Sequence, residues 1–509
     1  MRKKNNKVDS IKKKQKLIYA AVAFVYALIT LIGVINHEIW YDEAQAWCVA
    51  RDNDIFGIVN HLKFEGHPIL WYLIILPFAK MGLSCVSIGF ISWAISVLTV
   101  GLILFKMKLS FKMKLFTVFS CGFLFYNSIT SRPYCVIVLL LVLISLIYPR
   151  RKEHPVMFGV LVALLANTHI CMSGLVGFLG IQMIYELFTE WKTSRCSRNF
   201  CRLGGLGIAG VGVVALVLPL FLSLQSNHAV TDSPLTIGNV IPRLFNSFDN
   251  IGKNIAIQIP GLNSMLASII AIFLIAMFIL MRHYRKGLIA MLMFTAFYII
   301  ATQLIYTVMQ PTRAITFVYT LLLIYYTAKE NETPNKSKQK DNSKADSKIL
   351  KQITDSILKI DACFDKGIVV IFSVIMCISS VRGIYWYVKD VIGNYSLSVV
   401  TADYIREELP EGSVFVVDNY HFVPISAELP EYYFYFESNN EFLTYAPNIS
   451  TKDMKTDKEK TKNDLEKYTN IYRMRFVADE DGDALFSESF SPDIMYISRA
   501  ISITEFSFE

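Results

Sequence analysis

The chain is a series of long, nearly uncharged apolar runs separated by short polar segments and by clusters of lysine and arginine. The first run, residues 17–35, follows sixteen residues of which eight are lysine or arginine. At 1.5 Å per residue it is long enough to cross about 30 Å of hydrocarbon. Because no small-residue cleavage pattern follows it, we interpret it as a signal anchor rather than as a cleaved signal peptide.

Ten further apolar runs are candidate spans, so the pattern predicts eleven crossings. They lie at residues 85–105, 115–131, 133–148, 155–168, 170–188, 203–224, 262–281, 288–308, 314–328 and 367–388. Lysine and arginine are retained on the cytoplasmic side, and eleven crossings place every basic cluster there. These clusters are Lys106–Lys114, Arg150–Lys152, Lys192–Arg202, Arg282–Lys286 and the stretch 329–366. The pair 155–168 and 170–188 is predicted to form a short hairpin that turns near His169.

The segment between the first two predicted spans, residues 37–84, is predicted to be an external loop. Within it, Pro68–Gly82 holds about fifteen apolar residues, fewer than a perpendicular span needs. We interpret it as a juxtamembrane or re-entrant helix. Aromatic side chains are expected to hold the loop at the membrane surface. They are Trp40, Tyr41, Trp47, Trp71 and Tyr72.

Two polar pieces complete the pattern. Residues 329–366 are lysine-rich and predicted to form a disordered cytoplasmic linker. Residues 389–509 are predicted to form a small extracytoplasmic α/β domain, in which TADYIREEL reads as a helix and SVFVVD, EYYFYF and DIMYIS as strands. Lys452–Lys467 is expected to be a charged, exposed insertion in that domain.

Composition agrees with this pattern. Of 509 residues, 53% are hydrophobic and only 18% are charged, with a mean hydropathy of +0.41, which excludes an ordinary soluble chain. The predicted fold class is therefore an all-α polytopic membrane protein with a small C-terminal α/β domain. Its parts are a basic cytoplasmic N-terminus (1–16), a transmembrane module (17–328), the linker (329–366), a last span (367–388) and the outer domain (389–509). The net charge of +8 sets orientation and gives no indication of nucleic acid as a partner.

Candidate chemistry lies on one predicted face of the membrane, where a charge is costly unless it is solvated, paired or used. The ionisable residues collected on that face are Asp42, Glu43, Arg51, Glu65, His67, Arg132, His169 and Arg313. Arg132 and Arg313 begin outward-facing helix ends, against the usual bias. An acidic pair with two arginines is suited to a lipid-linked phosphate, because guanidinium groups offer forked donors to phosphate oxygens.

Each of these residues also has a plainer interpretation. Asp42 and Glu43 fit solvated loop carboxylates, although the surrounding run IWYDEAQAW is expected to dehydrate them. Arg132 and Arg313 fit side chains that extend to the membrane interface. His67 before Pro68 fits a helix start, and His169 a helix-end imidazole.

Several motifs also resemble the GT-C glycosyltransferases, which take a sugar from a polyprenyl-phosphate carrier at the outer face of a membrane. WYDEAQAW resembles their acidic motif in the first external loop, and EGHPILWYLIILPF their juxtamembrane helix. SRPYCVIVLLLV resembles the Arg-x-Tyr start of a later span, ANTHICMSGL the following Asn-x-His hairpin, and MQPTRAITFVYTLLL the arginine that opens a late span in bacterial relatives. The resemblance covers roughly residues 17–328. Within the family, the chain is loosely similar to the protein O-mannosyltransferases and the lipid A aminoarabinose transferases.

The resemblance implies an inverting transfer of a sugar to an extracytoplasmic lipid, glycan or protein at a bacterial plasma membrane. Asp42 would then be the base, and Glu43 would either orient Asp42 or bind acceptor hydroxyls. The donor phosphate would be bound by Arg132, Arg313, Tyr134 and His169, and the substrate by Glu65 and His67. No cofactor is assigned; a divalent metal at Asp42 and Glu43 stays open, because one adjacent pair supplies too few ligands.

Two other classes compete with the enzyme. A transporter or lipid-carrier flippase is disfavoured, because the charges collect at one face rather than near the bilayer midplane and no inverted repeat is visible. In a sensor or scaffold, the outer domain would carry the function and the loop motifs would be incidental.

Overall fold

The computed structural model describes residues 2–62, 68–107, 109–169, 172–193, 197–223, 380–393, 395–418, 420–446, 456–477, 484–490 and 499–506, together with residues 370, 374, 377 and 378. The predicted spans 262–281, 288–308 and 314–328, the linker 329–366 and nine residues of the span 367–388, all between 367 and 379, lie outside these residues. So does the predicted strand DIMYIS. The described part is mostly helical, about 70% of its residues, with a small sheet.

Two helices in the described part are long and apolar enough to cross a membrane by length and composition. The first lies within α1 (Arg2–Asn36), which continues the basic N-terminus without a break into the apolar run, and the second is α5 (Ser87–Lys106). Both coincide with runs predicted to be spans. Other apolar helices of the described part, such as Leu70–Lys80 and Pro155–Ala166, are too short to pass the same test.

Shorter or interrupted helices make up the rest of the helical part. They are α2 (Tyr41–Asp52), α3 (Ile55–Leu62), α4 (Leu70–Lys80), α6 (Phe111–Val118), α7 (Tyr134–Ile147), α8 (Pro155–Ala166), α9 (Ser173–Thr193) and α10 (Ser197–Ser223). Helix α7 has 14 residues and α8 has 12, so they measure about 21 and 18 Å. Helix α8 ends at Ala166 and α9 begins at Ser173, and the hairpin turn predicted near His169 falls between them.

The apolar run 115–131 is not one continuous helix, which corrects the sequence prediction. Helix α6 ends at Val118, and a π-helical turn occupies Gly122–Tyr126 before the chain turns into α7. Side chains from neighbouring elements satisfy the irregular backbone: the Tyr26 hydroxyl donates to the Phe123 carbonyl over 2.7 Å, and the Ser128 hydroxyl donates to the same carbonyl over 2.8 Å. Irregular backbone at membrane depth is tolerated only where protein covers it in this way.

Helices α8 and α10 pack backbone against backbone. A Cβ added at Gly159 would collide with the main chain of Gly205, and a Cβ added at Gly205 would collide with the main chain of Pro155. Small residues that let helix backbones approach are typical of helix pairs inside membranes, where apolar burial contributes little to association.

The aromatic residues of segment 37–84 do not all lie at a membrane surface, contrary to expectation. Trp47, Trp71 and Tyr72 are buried inside the protein, whereas Trp40 and Tyr41 are half-buried. The buried rings pack helices α2 and α4 against each other and against the hydrophobic core. The segment is therefore a packed helical layer rather than an extended surface loop.

A mixed sheet forms the core of the C-terminal region. The helix at residues 380–392 (α11) leads into α12 (Ser398–Glu408), which TADYIREEL predicted. The strands are β1 (Val414–Val417), β2 (Tyr433–Phe436), β3 (Glu441–Phe442), β4 (Ile471–Val477), β5 (Phe486–Phe490) and β6 (Arg499–Glu505), in the order β3-β2-β1-β4-β6-β5. Strand β1 pairs in parallel with β2 and β4, and the remaining pairs are antiparallel. The predictions for SVFVVD and EYYFYF are confirmed.

Two further helices accompany the sheet. Helix α13 (Val423–Glu428) connects β1 to β2 and packs against α2. Helix α14 (Lys458–Leu465) lies in the segment predicted to be charged, and most of its charged residues are exposed.

Direct hydrogen bonds attach the C-terminal domain to α2. The Gln45 amide donates to the Ala446 carbonyl over 2.9 Å and accepts from the Ala446 amide over 2.8 Å. Farther along α2, the Asn53 side chain donates to the Tyr445 hydroxyl over 3.1 Å. The acidic motif therefore lies on a helix that is held from both sides, by the helical part and by the sheet domain.

Candidate functional site

The centre of the site is an ion pair between Asp42 and Arg132, residues 90 apart in the sequence. The Arg132 guanidinium donates to the Asp42 carboxylate. The side chain of Asp42 is 29% exposed and that of Arg132 is 11% exposed, so the pair borders solvent without being dissolved in it. Arg132 is thus held by a carboxylate, and extension toward a membrane interface does not describe it.

Local sequence explains where Asp42 stands. Trp40 has extended backbone and α2 begins at Tyr41, which places Asp42 and Glu43 in the first turn. A helix N-terminus favours negative charge. Glu43 reaches back to accept from the Trp40 amide over 2.8 Å, as the third residue of a capping box does. Asp42 is left to point toward Arg132.

Glu43 is buried and fully occupied, unlike its neighbour. One carboxylate oxygen accepts from the Ser131 amide, and the other accepts from the Trp40 amide and from Nε2 of His37 over 3.2 Å. The prediction of a solvated carboxylate is therefore wrong for Glu43. Its contacts suit an orienting role and leave no oxygen for substrate.

Tyr134 and His169 lie on the other side of Arg132. The guanidinium carbon of Arg132 is 5.7 Å from the centre of the Tyr134 ring, and the rings of Tyr134 and His169 are 5.8 Å apart. Both residues are buried. Three of the residues predicted to bind phosphate are therefore neighbours, on the turn before α7, on α7 itself and on the α8–α9 turn.

The Tyr134 hydroxyl is buried and has no hydrogen-bond partner among the residues that the structure describes. A buried hydroxyl without a partner costs free energy, so native proteins rarely keep one without a reason. Because the Arg132 guanidinium lies over the ring of the same tyrosine, the hydroxyl is a candidate donor to an anionic ligand bound near that guanidinium.

Two residues of the site were missed in the sequence. His37 follows α1 directly, and Asp390 lies near the end of α11; Nδ1 of His37 is 2.9 Å from Oδ1 of Asp390. Burial alone lowers the pKa of His37, but the carboxylates of Asp390 and Glu43 outweigh it and raise that pKa well above the ordinary value. The available signal was position: each follows an apolar run whose outer end the charge pattern puts on the same face.

The other predicted site residues, Glu65, His67 and Arg313, lie outside the described residues, as does the loop 225–260. For a metal, the described residues hold no group of three or more His, Cys, Asp or Glu that is arranged to bind one. A cation at Asp42 and Glu43 would have to displace Arg132 from the first carboxylate and protein amides from the second.

No protein-family model and no curated protein sequence matches the chain.

Proposed function

We propose that the chain is an integral-membrane, inverting glycosyltransferase of the GT-C type, with eleven spans, a cytoplasmic N-terminus and an extracytoplasmic C-terminal domain. It takes a sugar from a polyprenyl-phosphate carrier and transfers it to an extracytoplasmic lipid, glycan or protein. The observation that carries the proposal is the ion pair of Asp42 with Arg132, whose guanidinium carbon lies 5.7 Å from the centre of the Tyr134 ring. A base and an anion-binding group thereby share one partly open site.

The surface of the helical part supports a membrane location. Large apolar side chains on α1, α9 and α10 are exposed, among them Phe24, Phe188 and Val211. Continuous apolar surface of this kind is rare on soluble monomers. The close backbone packing of α8 on α10 is a second feature that membrane helices favour.

The proposed reaction is a single displacement at the anomeric carbon of the donor sugar. The acceptor hydroxyl attacks that carbon, its proton passes to the Asp42 carboxylate, and the bond from the carbon to the carrier phosphate oxygen breaks. The phosphate leaves with the bonding electron pair as an anion, so no general acid is needed. Guanidinium groups that face the departing oxygens stabilise their growing charge in a site of low dielectric.

Arg132 links the two halves of this reaction. A carrier phosphate competes with Asp42 for the guanidinium, because both are anionic acceptors of the same forked donor. When the phosphate takes that donor, Asp42 loses its ion-pair partner and becomes a better acceptor for the proton. Donor binding thus prepares the base.

The test is transfer of radiolabelled sugar from defined polyprenyl-phosphate sugars by the purified full chain. Asp42→Asn keeps the shape of the side chain but removes its basicity, and we expect a loss of about 10²- to 10⁴-fold. Asp54→Asn makes the same change at an exposed position of the same segment and should keep wild-type activity. Wild-type transfer by Asp42→Asn would exclude Asp42 as the base, whereas carrier binding without transfer by the wild-type chain would favour a flippase.

The phosphate role of Arg132 is tested by Arg132→Lys. Lysine keeps the charge but loses the forked geometry, so use of the donor should weaken. The measurement is donor-dependent kinetics with a thermal-stability control. Unchanged donor kinetics would leave Arg132 only its structural contact with Asp42.

A further inference from the structure

Three buried ionisable side chains form a continuous chain next to the site. Asp390, His37 and Glu43 are linked by contacts of 2.9 Å and 3.2 Å through the two nitrogens of the imidazole ring. The exposed fractions of the three side chains are 0%, 4% and 2%. They come from α11, from the residue after α1, and from the first turn of α2.

The geometry defines the charge of His37. Carboxylates only accept hydrogen bonds, and a neutral imidazole has one N–H to donate. Since both ring nitrogens face a carboxylate, satisfying both contacts requires the imidazolium form. The group then carries one positive and two negative charges, with the Tyr395 ring packed 4.7 Å from the imidazole and the Arg132 guanidinium nearby.

Glu43 connects the buried chain of ionisable residues to the backbone beside Asp42 and Arg132. Its carboxylate binds the amides of Trp40 and Ser131, which precede Asp42 and Arg132 by two residues and one residue. One carboxylate therefore fixes the backbone beside both members of the ion pair. Any shift of Glu43 moves Asp42 and Arg132 relative to each other.

The residue after His37 ties the same place to the outer domain. The Glu38 carboxylate accepts from the amides of Ser396 and Leu397 over 2.7 and 2.9 Å. Leu397 has a φ of 58°, a left-handed conformation that costs free energy in a residue with a branched side chain and persists only where contacts hold it. The segment that leads from α11 into α12 is thus fastened to the outer end of α1.

We propose that His37 is a positioning residue, which couples the seating of α11 and the outer domain to the geometry of Asp42 and Arg132. The proposal rests on the proposed function for its catalytic consequence. Buried ion networks often contribute little net stability compared with apolar replacements. The contacts of this network instead explain its presence by the positions that they fix. They hold α11, the residue after α1 and the first turn of α2 around one carboxylate.

Two variants of the full-length protein break the chain at different points. His37→Gln removes the charge and one of the two donors, and Asp390→Asn keeps the shape and an acceptor while removing the negative charge. His61→Gln is the matched control, because His61 is also buried in the same segment and contacts the outer domain through the Tyr445 ring at 5.5 Å. If His37→Gln fails to fold, Asp390→Asn carries the test.

The first readout is catalytic. A misplacement of about 1 Å commonly costs on the order of 10²-fold in rate, so we expect transfer to fall roughly 10- to 100-fold in each variant. The double variant should lose no more than the worse single variant, since both changes break the same chain. Wild-type transfer by both single variants would overturn the proposal.

The second readout needs no catalysis and so separates this proposal from the proposed function. Hydrogen exchange is measured on peptides that contain the Trp40 and Ser131 amides, neither of which contacts His37 directly. We expect faster exchange at both amides in His37→Gln and Asp390→Asn, and wild-type exchange there in His61→Gln. Unchanged exchange at Ser131, or an increase that spreads equally over the whole chain, would make His37 merely structural and overturn the proposal.

Discussion

The helical part and the outer domain are built in opposite ways. Helices α1 and α10 expose phenylalanine and valine, and α8 and α10 meet at the buried glycines Gly159 and Gly205. The C-terminal domain instead buries phenylalanine on β1 and exposes the charged side chains of α14. In water, burial of apolar surface drives packing; in hydrocarbon, close backbone contact and internal hydrogen bonds must do so. Under the proposed function the two regions fold in different solvents, and the site lies where they meet.

The largest expected effect concerns which side of the membrane each region faces. In a cysteine-free variant, single cysteines at positions 60, 240 and 430 should react with a membrane-impermeant thiol reagent on intact cells. A cysteine at position 345 should react only after the cells are permeabilised. Labelling of position 430 only after permeabilisation would place the outer domain inside and remove the basis for eleven spans.

The contrast in packing can be tested with two glycines on one helix. Gly205→Leu puts a side chain into the backbone of α8, and we expect a loss of at least about 1–3 kcal/mol in stability because the helices must separate. Gly207→Leu makes the same change two residues away, where a Cβ meets nothing within 4 Å. Thermal melting of the purified variants compares them; equal losses would mean that α8 and α10 do not pack as described.

Sequence patterns predicted the parts of the fold that depend on local order. Apolar runs of span length gave α1 and α5, and alternation with turn residues gave α12, β1 and β2. The charge pattern predicted that the candidate site residues lie on one face of the membrane, and so placed Asp42 and Arg132 in the same region. Each of these inferences uses the composition of a short window, which a single sequence contains.

Contacts between distant segments could not be predicted in this way. Nothing near His37 in the sequence indicates Asp390, and Glu43 looks like an equal partner of Asp42 until its two oxygens are seen to bind Trp40, Ser131 and His37. The π-helical turn at Gly122–Tyr126 was missed because its apolar composition matches that of a regular span. Partner hydroxyls on Tyr26 and Ser128 decide its geometry, and they are recognisable only in three dimensions.

The junction between the two regions should depend on pH. The pKa of His37 is raised above the ordinary value of about 6.5, so its contribution to stability is complete below that pH and is lost as pH rises through the raised value. We expect the melting temperature of the wild type to fall as pH rises through that range, and His37→Gln to lack this component. The check is a melting series from neutral to alkaline pH; a His37→Gln profile parallel to that of the wild type would contradict it.

His61→Gln again serves as the control for the pH series. It removes another buried imidazole of the same segment and leaves the contacts of His37 with Asp390 and Glu43 intact, so the alkaline fall of the wild type should persist. Loss of that fall in both variants would mean that the effect is not specific to the junction.

The smallest expected effect lies inside the helical part. Tyr134→Phe deletes a buried hydroxyl that has no partner in the described part of the chain, so the melting temperature should stay equal or rise slightly, while donor affinity falls by roughly 2- to 10-fold. Tyr148→Phe is the matched control, because the Tyr148 hydroxyl donates to Gln182 over 2.9 Å. It should lower the melting temperature and leave donor affinity unchanged. If Tyr134→Phe lowered the melting temperature and left donor affinity unchanged, Tyr134 would be rejected as a ligand contact.

The distance in sequence between His37 and Asp390 also determines how long the network stays incomplete during synthesis. The two residues are 353 positions apart, and at 5–20 residues per second a ribosome needs roughly 18 to 70 s to proceed from one to the other. During that interval the outer end of the first helix and the acidic motif exist without the carboxylate that completes their network. A chain whose synthesis stops before α11 lacks Asp390, so His37 in such a product keeps Glu43 and loses the carboxylate at its Nδ1.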